Sequence, residues 1–83
     1  MYAVVQHNDY GAPTRVHAFA EEKNANEYLE KSWWTFLCRE LEESAINIDM
    51  QDSFIEENHA RISWANSDVE EWDLVEVEED IDV

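Results

Sequence analysis

The sequence predicts a single α+β domain of order β-β-α-(loop or short helix)-β-β, with one long helix packed on an antiparallel sheet. Three observations carry that expectation. Short β-rich runs separated by turn residues stand at both ends of the chain. A long stretch with apolar residues every four positions lies between them. The chain has 83 residues, 45% of them hydrophobic, which is enough for one core and too few for two.

Tyr2-Ala3-Val4-Val5-Gln6-His7 opens as a strand, and Thr14-Arg15-Val16-His17-Ala18-Phe19 reads as its return. Between them Asn8-Asp9-Tyr10-Gly11-Ala12-Pro13 gathers the only glycine and the only proline into one turn. Residues 21–44 follow as the helix. Ala25, Leu29, Trp33, Leu37 and Leu41 recur on one side, and Phe36 widens the stripe. Glu21 and Glu22 suit the positive end of the helix dipole, and Lys23–Glu27 and Glu27–Lys31 are spaced as i,i+4 pairs. Two adjacent tryptophans cannot share one narrow face, which leaves Trp34 to cover a sheet edge or reach a partner.

Residues 45–58 admit two readings. Ile46, Ile48 and Met50 alternate as in a strand, whereas Ser53-Phe54-Ile55-Glu56 carries the spacing of a helix-capping box. A short helix over 53–58 or a structured loop both fit. The final part predicts a second hairpin: Ala60, Ile62 and Trp64 alternate with polar residues, Asn66-Ser67-Asp68 turns, and a strand begins near Val69. Its alternation slips at Leu74-Val75, which predicts a bulge or burial on both faces. The expected core comprises Val4, Val16, Leu29, Trp33, Leu37, Ile62 and Val75. The single domain spans 1–83, with residues 78–83 expected to fray.

Charge is the informative part of the composition. Twenty-one Asp and Glu against five Lys and Arg give a net charge of −16. Residues 1–39 hold five acids and four bases; residues 40–83 hold sixteen acids and only Arg61. A chain so negative repels nucleic acid and anionic membranes and attracts basic surfaces. No apolar run approaches the roughly 18 residues of a membrane span, and no signal peptide opens the chain. With a lone Cys38, which the surrounding Trp33–Leu37 predicts to be a half-buried hydrophobe, this points to the cytoplasm.

Catalytic patterns are missing. There is no glycine-rich phosphate loop, no G-x-S-x-G, no H-E-x-x-H and no C-x-x-C. His7 and His17 are placed to face each other across the first hairpin, with His59 apart from them. The expectation is a protein that is not an enzyme and carries neither cofactor nor metal.

The densest acidity is Glu70, Glu71, Asp73, Glu76, Glu78, Glu79, Asp80 and Asp82, with no base in the segment. In a strand, Glu76, Glu78, Asp80 and Asp82 share a face about 6.5–7 Å apart, close to the spacing of backbone phosphates. Crowded carboxylates repel one another, so their value lies in binding, in solubility or in protecting an edge strand from aggregation. The expected partner-binding residues are therefore Glu70, Glu71, Asp73, Glu76, Glu78 and Asp80, with Trp34 and Trp72 as exposed aromatics.

Size, this acidic run and those two tryptophans resemble, as a type, the small acidic phage-encoded anti-defence proteins, among them anti-CRISPR proteins and restriction inhibitors that mimic DNA. Phe19–Leu29 is also similar to a strand-to-helix junction common in small bacterial and phage proteins. The resemblance implies an inhibitor that occupies a basic nucleic-acid-binding surface of a CRISPR effector or other defence nuclease. The alternatives are an antitoxin or immunity protein against a basic nuclease, and an acidic adaptor or homodimer subunit.

Overall fold

The structure is a computed structural model; it describes residues 1–44 and 47–77. Five antiparallel strands form one sheet in the order β2-β1-β5-β4-β3: β1 Tyr2–Asn8, β2 Arg15–Phe19, β3 Phe54–Ile55, β4 His59–Ser63 and β5 Val69–Glu76. One helix, α1 Glu22–Ser44, crosses a single face of it. The α+β architecture is thus the one the sequence predicts, with a two-residue strand added at the β3 edge.

Helix packing follows the four-residue stripe. Ala25, Leu29, Trp33 and Leu37 are buried, while Leu41 at the end of the stripe is exposed. They meet Val4, Ala60, Ile62 and Trp72 from the sheet, together with Ile48. Side chains alternate along a strand, and the register Gln6↔Trp72↔Ala60 therefore aligns the inward positions of β1, β5 and β4. The two buried indoles are satisfied: Trp72 Nε1 donates to Ser32 Oγ at 3.0 Å, and Trp33 Nε1 donates to the Arg61 carbonyl at 2.9 Å.

Several expectations fail, each for a local reason. The register of β5 against β1 runs unbroken from Tyr2↔Glu76 to Asn8↔Glu70, so there is no bulge at Leu74-Val75. Leu74 packs towards the core, and Val75 lies exposed on the opposite face. Val16 falls on that same open face, being paired with Val5, and is 61% exposed. Cys38 is exposed. His7 and His17 do not meet. His17 stacks on Tyr28 at 4.7 Å on the helix side, and His7 turns to the open face.

Between α1 and β4 backbone and side-chain hydrogen bonds together brace the strands. Asp49 N donates to the Ser63 carbonyl, Ala65 N to the Asn47 carbonyl, and Ile48 bridges Trp64. A 3-10 turn, Met50–Asp52, is capped by Asp49. Ser53 Oγ donates to the Asp49 carbonyl and accepts from Ser63 N. That use of the hydroxyl removes it from any capping box, and Phe54–Ile55 pair with β4 instead of starting a helix. Ile46 and residues 78–83 lie outside the described residues, so the strand reading of Ile46 and the fraying of the end fall there.

Candidate functional site

The carboxylates of β5 separate by parity. Glu70, Trp72, Leu74 and Glu76 point to the helix side; Glu71, Asp73 and Val75 point away. Glu70 is only 3% exposed, and its carboxylate accepts from Gln6 Nε2 at 2.6 Å and from the Tyr10 hydroxyl. The turn after β1 delivers that tyrosine. Asn8 Oδ1 accepts from Tyr10 N and Ala12 N, Gly11 takes a φ of +91°, and Asp9 Oδ1 accepts from Val69 N. Burial first, and the hydrogen bond to Glu70 second, push the Tyr10 hydroxyl well above its ordinary pKa. Trp72 is fully buried. Glu70 and Trp72 therefore hold the fold together and are not part of an exposed surface, contrary to the sequence expectation.

Glu71 and Asp73 are exposed in part, but neighbouring strands supply hydrogen-bond partners that their own segment lacks. Arg61 on β4 donates to Glu71 Oε2 from Nε at 3.1 Å and from Nη2 at 2.9 Å, and its Nη1 lies 3.4 Å from Asp52. Asp73 sits between two imidazoles, His7 Nε2 at 2.7 Å and His59 Nδ1 at 2.6 Å. Burial raises the Asp73 carboxyl, but the hydrogen bonds and charges of His7 and His59 overcome this and hold it below its usual range. Phe54 covers the row, 5.4 Å from the His59 ring and 5.7 Å from the Arg61 guanidinium. The result is an internally hydrogen-bonded strip across the open face. No described hydroxyl or thiol hydrogen-bonds to either imidazole, and among the described residues no cluster of three or more His, Cys, Asp or Glu is arranged to hold a metal.

The carboxylates left without a cation lie elsewhere. Among the described residues every ion pair involves Asp52, Glu71 or Asp73. Glu30, Glu56 and Glu57 are unpaired and rim a groove of about 420 Å³ between α1 and the β3 edge, floored by Leu29 and Ile55. Glu27 and Trp34 stand on the same side of the helix as Glu30, at i−3 and i+4. Trp34 is 50% exposed and rests edge-on against Trp33 at 4.8 Å. Asn26, also on this rim, has its Oδ1 buried without a hydrogen-bond partner.

The structure thus brings Glu71 and Asp73 together on the open face, leaves Glu76 exposed at the end of β5, and sets Trp34 on the far flank of the helix. Glu78 and Asp80 lie outside the described residues. Sequence reading missed Glu30, Glu56 and Glu57 because they come from distant segments. The available signal was Glu56-Glu57 without a Lys or Arg within three positions, together with Glu30 and Trp34 at i,i+4 on the helix. Among the described residues no helix is long and apolar enough to cross a membrane. No family model, curated protein or solved structure matches this chain.

Proposed function

We propose that the protein is an inhibitor that docks its acidic α1–β3 flank on a basic nucleic-acid-binding surface, such as the channel of a CRISPR effector or other defence nuclease. The observation that carries this reading is the set of unpaired carboxylates Glu30, Glu56 and Glu57 around one groove, beside the exposed Trp34. Lysines and arginines that normally neutralise phosphates would pair with these carboxylates, and Trp34 would supply a desolvated aromatic anchor. Long-range attraction by a chain of net charge −16 would speed the encounter. Glu76, Glu78 and Asp80 add negative charge in this reading, while the already paired Glu71 and Asp73 contribute little.

The test is capture of partners on the immobilised protein from a bacterial lysate, with elution by rising salt or by a DNA duplex. The expected result is a basic nucleic-acid-binding protein released by the duplex. Capture only of proteins that the duplex does not displace would overturn the mimicry reading. An antitoxin role would give the same elution but a single cognate nuclease as the partner.

A second reading has its own observation. Val16 and Val75 are exposed on the open face beside Val5, Ala3 and Ala18, and among the described residues β2 leaves one edge of the sheet unpaired. A homodimer joined there would appear in light scattering as a mass twice that of the chain. A monomer at all working concentrations would dismiss it.

A further inference from the structure

In a chain with twenty-one acids, three of the five Lys and Arg converge on one cavity. Arg15 from β2 and Lys31 and Arg39 from α1 line a groove of about 330 Å³, with Gln6, Tyr28, Ser32, Thr35 and Phe36. None of these three cations lies within 4 Å of a described carboxylate. The i,i+4 partner that the sequence offers Lys31, namely Glu27, does not engage it. We infer that the β2–α1 groove is a binding site for a small phosphorylated molecule, a function separate from the acidic flank.

Geometry and charge favour this ligand. Lys31, Thr35 and Arg39 follow one another at single-turn spacing, each about 6 Å further along the axis. The long side chains at the two ends can close over the Thr35 hydroxyl, and Arg15 faces them from the strand. Ser32 Oγ already accepts from Trp72 Nε1, which leaves its proton to donate. Arg39 is steadied over the Phe36 ring at 5.3 Å. Three cations and two hydroxyl donors match a phosphate dianion better than a carboxylate, whose single charge leaves two cations unmet.

The groove also has a direction. At the Arg15–Arg39 end it adjoins a smaller cavity that contains Glu70. Both oxygens of that carboxylate are taken by Gln6 and Tyr10, so Glu70 does not bridge the arginines, yet its charge repels an anion. The phosphate therefore sits towards Lys31 and Thr35. The rings of Tyr28 and Phe36 supply an apolar wall for the rest of the ligand, and the volume is at the lower end of small-molecule sites, about 300–1,000 Å³. A polymer of phosphates would extend beyond the groove onto a molecule of net charge −16, whose field opposes it.

Two-dimensional NMR titration with pyrophosphate, adenosine monophosphate, citrate and a single-stranded oligonucleotide tests the proposal. Pyrophosphate and the nucleotide should shift the amides of Lys31, Ser32 and Thr35, with the nucleotide also moving Tyr28 and Phe36. Lys31→Gln and Arg39→Gln should each weaken the nucleotide at least tenfold, through loss of one charge-assisted hydrogen bond. All three cations are exposed, so the variants keep the fold, and an unchanged spectrum outside the groove checks this. Glu56→Gln should leave the nucleotide affinity unchanged. Citrate binding as tightly as pyrophosphate, the oligonucleotide binding more tightly than the nucleotide, or no shift at millimolar nucleotide would each overturn the proposal.

Discussion

The two flanks of α1 carry opposite charge. On the β3 side Glu30, Glu56 and Glu57 surround a groove; on the β2 side Arg15, Lys31 and Arg39 surround another. One helix separates them, a body about 10–12 Å across, and charges are screened over roughly 8 Å at physiological ionic strength. Each flank therefore presents its own sign to solution, despite a net charge of −16. A basic surface approaching this molecule is attracted by one flank and turned away by the other, which fixes its orientation as well as its rate of encounter. Net charge alone would have assigned the whole surface one role.

The most severe way to break the comparison is to remove the core on which both flanks rest. Trp72 is the fully buried centre under the helix, so Trp72→Ala should cost about 3–5 kcal/mol in urea unfolding. Against a total of roughly 4–12 kcal/mol for a chain of this length, binding at both flanks should fall together. Loss at only one flank would mean that the grooves do not depend on a common core.

A smaller effect separates buried from exposed carboxylates. Glu70→Ala should cost about 1–3 kcal/mol, because Gln6 and Tyr10 lose their acceptor. Glu56→Gln, at an exposed position without an ion pair, should stay within about 0.5 kcal/mol. Equal costs in urea unfolding would erase the distinction between structural and surface acids.

Acid titration sharpens the comparison on the open face. The folded Asp73 carboxyl lies below its ordinary value of 3.8, so its contribution is present above that value and is lost as pH falls through the lower folded one. Thermal unfolding should therefore drop below about pH 4 in the native chain and drop less in Asp73→Asn. The sequence isoelectric point is 4.1, so the net charge of the chain vanishes over the same range and self-association should increase. An identical pH profile for Asp73→Asn would show that the two imidazoles do not hold this carboxylate.

Local pattern made the helix, both hairpins and most of the core legible. Leu29, Trp33 and Leu37 repeat at helical spacing, and Asn66-Ser67-Asp68 turns as its chemistry requires, with Ser67 at φ +77° and Asn66 Oδ1 accepting from Asp68 N. Strand faces were harder. Val16 and Val75 have the composition of core residues, but parity relative to Val4 and Leu74 places them outside. The acidic strand was legible as composition and not as a surface, because cross-strand neighbours decide what each carboxylate does. Arg61 lies ten positions from Glu71, His7 lies sixty-six from Asp73, and Gln6 lies sixty-four from Glu70. No reading confined to residues 70–80 contains those partners. The same holds for both grooves, whose walls come from segments that only the sheet order brings beside the helix.

The most direct test of the central claim is the salt dependence of binding to the captured basic partner. Three proteins are compared: the native chain, the variant Glu30→Gln, Glu56→Gln, Glu57→Gln, and a chain ended after Val77. The acidic-flank account predicts that the triple variant keeps its fold, binds at least tenfold more weakly at low salt, and shows a flatter decline with added salt. It predicts a smaller loss per charge for the shortened chain. A triple variant that binds like the native chain, with the affinity lost instead on removing residues 78–83, would contradict the account and return the binding surface to the acidic end of the chain.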